Sequence, residues 1–206
     1  MSVADLVAVV IAAAAGYAIG SLPVSMWVAR AGGAEVHRDG ERDPGPADVW
    51  RRAGPGWGLL AVTADLSKGV LPVAMATVTW SWGAGWAAGL GALTGACWPA
   101  LGRLPGGRGV AVFAGAAFAL APPAGMLCGS IALAAAGVAR LVGRDGRAAA
   151  MAAGIATYPV LFFAADGDPL RLAGLMALYL VAALRSVTVR RGSGGGDEAA
   201  GAMRRA

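Results

Sequence analysis

The sequence predicts an all-α integral membrane protein of about seven transmembrane helices, with the N-terminus outside and the C-terminus cytoplasmic. Three observations lead there. The chain of 206 residues is 57% hydrophobic and only 14% charged, with mean hydropathy +0.62, whereas a soluble domain is about half apolar and a quarter charged. Apolar runs near the length of a membrane crossing, about 20 residues, recur along the chain. The basic residues are also segregated: with seven crossings, 15 of the 17 fall on the inner side.

The first apolar segment runs from about Leu6 to Ala29 and is preceded by Asp5 rather than Lys or Arg, so it lacks the basic start of a cleaved signal peptide. The second covers about Trp57 to Trp80, with tryptophans at both ends where an aromatic belt would lie. The third is about Gly85 to Leu101. Val110 to Ala139 is too long for one crossing, and Pro122-Pro123 divides it into a short fourth helix and a fifth. The sixth is about Ala148 to Ala165 and the seventh about Leu170 to Val189. The inner loops are then Arg30–Arg52, Arg103–Arg108, Arg140–Arg147 and the tail from Arg185, while Asp5, Asp166 and Asp168 lie outside. Residues 1–191 form one membrane domain, and 192–206, rich in Gly, Ser and Ala, are expected to be a disordered cytoplasmic tail.

Charge and cysteine content narrow the function classes. A net charge of +5 in so apolar a chain marks loops beside anionic lipid rather than a nucleic-acid surface. Cys97 and Cys128 both sit in apolar segments, which excludes a disulfide framework or a zinc site. His37 has no partner set for a metal, and no motif for coenzyme A or a nucleotide is present.

Four stretches break the apolar pattern. Pro105-Gly106-Gly107-Arg108-Gly109 ends one apolar segment and starts another. Its glycines let backbone N–H groups face one point, the following helix start adds its dipole, and Arg108 adds a full charge, an arrangement suited to a phosphate at a membrane surface. A plain Gly-rich turn between two membrane helices explains the same residues. Gly20-Ser21-Leu22-Pro23 inside the first segment would bend it and free backbone groups, or is a simple proline kink. The loop Gly33–Gly54 is either a solvated connector or, as the one long loop of the chain, functional. Asp65 and Lys68 share a helix face and can pair, as a structural ion pair or as part of a site.

Together these stretches resemble, in order and spacing, the PlsY family of bacterial acyl-phosphate:glycerol-3-phosphate acyltransferases over roughly Ala4 to Arg191. The resemblance implies acyl transfer from an acyl phosphate to the 1-hydroxyl of glycerol 3-phosphate, the first acylation of phospholipid synthesis, at the cytoplasmic face of the bacterial plasma membrane. It implies catalytic roles for Arg51, Lys68 and Arg108, and phosphate or substrate binding by Gly20, Ser21, Gly45, Gly106, Gly107, Gly109 and Arg191. No cofactor or metal is implied, and the partners are the two substrates and membrane lipid.

The chain also departs from the family pattern. Where the first inner loop usually reads GSGNxGATNVxRxxG, Gly40, Gly45, Val49, Arg51 and Gly54 remain, but Glu41, Asp43, Ala47 and Asp48 replace the serine, first asparagine, threonine and second asparagine. Three carboxylates beside a phosphate are repulsive unless protonated or paired, for example with Arg42, Arg51 or Arg52. The usual GHxxP histidine is Ala96, the Gly-rich motif has Pro105, Arg108 and Val112 for two lysines and a threonine, and of the last motif only Arg191 clearly matches, with Thr188 still able to donate a hydrogen bond. The first expectation is therefore a divergent acyltransferase. A catalytically degenerate relative that binds an anionic lipid or a partner membrane protein is the second. A small transporter or unrelated bundle is the third, and it would need polar residues through the outer half, which has almost none.

Overall fold

The computed structural model describes residues 2–34, 45–100 and 109–122, with scattered residues between 126 and 181. Its first helix, α1 (Val3–Gly20), starts where a capping box holds it: Ser2 Oγ accepts from the Asp5 N–H at 3.1 Å, and Asp5 Oδ2 accepts from the Ser2 N–H at 2.7 Å. That places the start before Leu6, the expected first residue.

The first apolar segment is broken rather than merely bent. Pro23 cannot donate to the helical ladder, so α1 stops at Gly20 and α2 (Val24–Ala31) begins beyond it. The backbone groups freed at the break find local partners. The Ser21 hydroxyl donates to Tyr17 O at 2.7 Å, and the Val24 N–H turns to Leu22 O at 2.9 Å.

The loop Gly33–Gly54 contains a helix, α3 (Pro46–Ala53). Pro46 at its first turn supplies a preset φ, Asp48 lies in the first turn, and Arg51 and Arg52 lie in the last, complementing the helix dipole. Val49 is its buried anchor, packed with Val28, Ala29 and Ala61. Gly54, at φ +95°, then turns the chain directly into α4 (Pro55–Thr79), whose 25 residues rise about 37 Å, enough to cross about 30 Å of hydrocarbon. α5 (Trp82–Cys97) is capped by Ser81, which accepts from the Ala84 N–H. Gly109, at φ +66°, opens α6 (Val110–Leu120), which ends just before Pro122, as the proline pair predicted.

Among the described residues two stretches are long and apolar enough to cross a membrane, Val3–Ala31 and Pro55–Thr79. The expected fifth, sixth and seventh segments fall largely outside the described residues, although parts of them are helical and Tyr158, Phe162 and Leu178 join the core around Trp86, Leu93 and Leu120. Leu59, Leu71, Met75 and Val78 point outward, which suits contact with lipid rather than water.

Glycines set the helix directions. Gly16 and Gly20 press on Ala88 and Ala92 of α5, while Gly91 and Gly95 press on Ala13 and Tyr17 of α1. These contacts advance together along both chains, so α1 and α5 run parallel in a close small-residue seam, the way membrane helices approach when water gives no hydrophobic drive. Val73 lies against Gly89 and Thr77 against Gly85, so α4 opposes α5; Gly109 meets Leu93 and Cys97 while Gly89 meets Ala116, so α6 opposes it too. The directions of α1, α4, α5 and α6 therefore alternate along the chain. One end of the bundle collects the ends of α1 and α5, the starts of α4 and α6, and α3.

Candidate functional site

That end holds the buried polar residues. Among the described residues the buried polar or charged side chains are Ser21, Ser25 and Lys68, the last 6% exposed. Lys68 lies about 20 Å along α4 from Pro55. The Asp65–Lys68 pair expected from helical spacing is present, with Nζ 2.7 Å from Oδ1. The other carboxylate oxygen, Oδ2, accepts from Ser25 Oγ at 2.8 Å, tying α2 to α4 across the break after α1. Ser25 was not legible as a site residue, because its partner lies 40 positions away; the only signal was a second serine four residues after Ser21.

Gly69, beside Lys68, fits against Val112 and Ala116 of α6, so the lysine lies at the level of the first turns of α6. Among the described residues no side chain caps the N-terminus of α6, so its first amides are open to another partner. Gly95 lets Tyr17 and Ser21 approach α5, and the Tyr17 hydroxyl donates to Trp98 O at 2.8 Å, fixing the end of α5 just before the Gly-rich stretch.

The remaining expected site residues divide. Gly20 and Ser21 are buried at the break; Gly45 precedes α3 as its N-cap; Gly109 starts α6. Arg51 is exposed on α3 and paired with Asp48, so one of the carboxylates that replaces a neutral family residue is neutralised within its own helix. Trp50, next to Arg51, rests on Gly58, about 15 Å along α4 from Lys68, so Arg51 and Lys68 occupy different levels. Gly106, Gly107, Arg108 and Arg191 lie outside the described residues. Ser25–Asp65, Gly69–Val112 and Gly109–Cys97 bring the break, the Asp65–Lys68 stretch and Gly109 together, while α3 packs on α4 about 15 Å nearer its start through Gly58–Trp50.

The sequence profile described as glycerol-3-phosphate acyltransferase matches residues 10–192. A glycerol-3-phosphate acyltransferase of Rubrobacter xylanophilus is 44% identical over 115 residues, covering 54% of this chain and 56% of the relative; the chain thus aligns with little more than half of that protein. One from a Synechococcus strain is 34% identical over 187 residues, 85% of each chain. The crystal structure of PlsY, an integral membrane glycerol 3-phosphate acyltransferase in its glycerol 3-phosphate form, superposes with TM-score 0.71 at 24% identity over 93% of both chains, a likeness of fold. The chain is a helical membrane protein that belongs to the glycerol-3-phosphate acyltransferase family.

Proposed function

We propose that the protein transfers the acyl group of an acyl phosphate to the 1-hydroxyl of glycerol 3-phosphate. The new ester bond forms as the acyl–phosphate bond breaks; the products are lysophosphatidate and inorganic phosphate, and the hydroxyl proton leaves with the phosphate. The observation that carries this reading is the buried Lys68 at the level of an uncapped helix start, in a chain of this family. Both substrates are phosphates, and an acyl phosphate is already activated. Positioning the two and neutralising developing charge can therefore supply most of the acceleration.

In this reading Lys68, Arg108 and Arg51 supply positive charge. Gly106, Gly107 and Gly109 supply backbone donors at the start of α6, with Gly20, Ser21, Gly45 and Arg191 completing the substrate surface. The site faces the cytoplasm in a plasma-membrane domain of about seven spans over residues 1–191, the N-terminus lying outside. The 15 basic residues on that side support the orientation.

The test supplies palmitoyl phosphate and labelled glycerol 3-phosphate to purified protein in lipid vesicles, comparing wild type with Arg108→Ala. Lysophosphatidate that depends on Arg108 supports the reading. No product above empty vesicles overturns it.

A further inference from the structure

Lys68 is held in an unusual way. Its ammonium sits 2.7 Å from Asp65 Oδ1, yet that oxygen is buried and receives no hydrogen bond of acceptable angle. The contact is an ion pair, and no other partner of Lys68 is present among the described residues. An ammonium carries three N–H donors, and a buried ion normally needs both its counter-charge and hydrogen bonds to offset lost hydration. Lys68 has the counter-charge, and at least two of its three donors remain.

The carboxylate, by contrast, is fixed. Ser25, 1% exposed, donates to Oδ2 at 2.8 Å from a different helix. This bond sets the rotation of the Asp65 carboxylate and thereby where Oδ1 holds the ammonium. Gly69 keeps the same turn of α4 against Val112 of α6, whose N-terminal amides have no side-chain cap among the described residues. The spare lysine donors and the helix start are two separate features that favour an anion.

We propose that Ser25 and Asp65 are positioning residues: Ser25 orients Asp65, and Asp65 holds the Lys68 ammonium so that its remaining N–H groups take an oxygen of a substrate phosphate. This rests on the acyltransferase reading above. Either the acyl phosphate or glycerol 3-phosphate could bring that phosphate, and kinetics separates them. Ser25→Ala removes one hydroxyl and leaves the ion pair. It is expected to raise KM for one of the two substrates about tenfold or more, the scale of one hydrogen bond to a charged group, while kcat per folded molecule holds and the melting temperature falls by about a few degrees. The substrate whose KM moves is the one Lys68 binds. Asp65→Asn keeps an acceptor for Ser25 but removes the charge facing Lys68, and is expected to raise the same KM.

In a Lys68→Met background the Ser25→Ala effect on affinity, read as the Kd of that labelled substrate by equilibrium dialysis of vesicles, is expected to vanish, because Ser25 acts through Lys68. A purely structural role predicts unchanged KM per folded molecule in both single variants, and that result overturns the proposal, as does a Ser25→Ala effect that persists without Lys68. Wild type that forms no lysophosphatidate overturns both readings; active wild type with unshifted variants overturns this one alone.

Discussion

Gly109→Ala tests how the start of α6 is built. Gly109 has φ +66°, and an added Cβ would lie 2.8 Å from Leu93 Cδ1 and 2.9 Å from Cys97 Sγ. The left-handed conformation costs a residue with a side chain about 1–2 kcal/mol. Ordinary contact begins near 3.4 Å, so both neighbours must retreat by roughly half an ångström, and overpacking of that kind costs about 1–3 kcal/mol. The Leu93 tip can rotate, which favours the lower figure, whereas Cys97 is fully buried and short. A total of about 3 kcal/mol corresponds to a fall of about 6–12 °C in melting temperature for a chain of this size. The assay is thermal unfolding of the purified protein in detergent, beside acyl transfer in vesicles, with Gly56→Ala as control. Nothing lies within 4 Å of a Cβ at Gly56, so that change is expected to be neutral or to gain up to about 1 kcal/mol from helix propensity. A Gly109→Ala melting temperature within about 2 °C of wild type would refute both the strain and the packing argument.

Three further outcomes follow from the same geometry. Gly95→Ala puts a Cβ against Tyr17 O and 3.0 Å from both Ser21 N and Ser21 Oγ, so it is expected to part α1 from α5 and lower stability by about 2 kcal/mol, read as faster amide exchange across residues 16–21. Tyr17→Phe loses the bond to Trp98 O and is expected to cost about 1 kcal/mol in thermal unfolding. Arg51→Ala removes an exposed pair with Asp48, so stability should change by about 0–1 kcal/mol, whereas kcat/KM should fall about tenfold or more if its charge serves a phosphate; unchanged kinetics would remove Arg51 from the site.

The membrane class and the main apolar segments could be read from composition and run length, because lipid demands long apolar helices with satisfied backbones. Pro122 ended α6 where it was expected, since a missing N–H is a local property. The α3 helix was hidden because Asp43-Pro44-Gly45-Pro46 has the composition of a turn, although Pro46 also has the preset φ of a helix start. Asp65 and Lys68 were visible as a pair because i,i+3 spacing is local. Ser25 was not, and neither were the seam glycines: a hydrogen bond or a missing Cβ acquires meaning only once a partner from a distant helix is in place.

The eleven residues of α6 rise about 16 Å, roughly half the hydrocarbon thickness. A helix that stops there leaves its last carbonyl oxygens in need of partners. Ala117 O is supplied twice, by the Ala121 N–H at 3.1 Å and by the Tyr158 hydroxyl at 2.6 Å. The phenol thus closes the C-terminal end of a short helix whose other end opens toward the site. α6 is consequently anchored at both ends by distant partners, Cys97 and Leu93 at Gly109 and the Tyr158 phenol at Ala117, so a shift of this short helix must carry α5 and the Tyr158 segment with it.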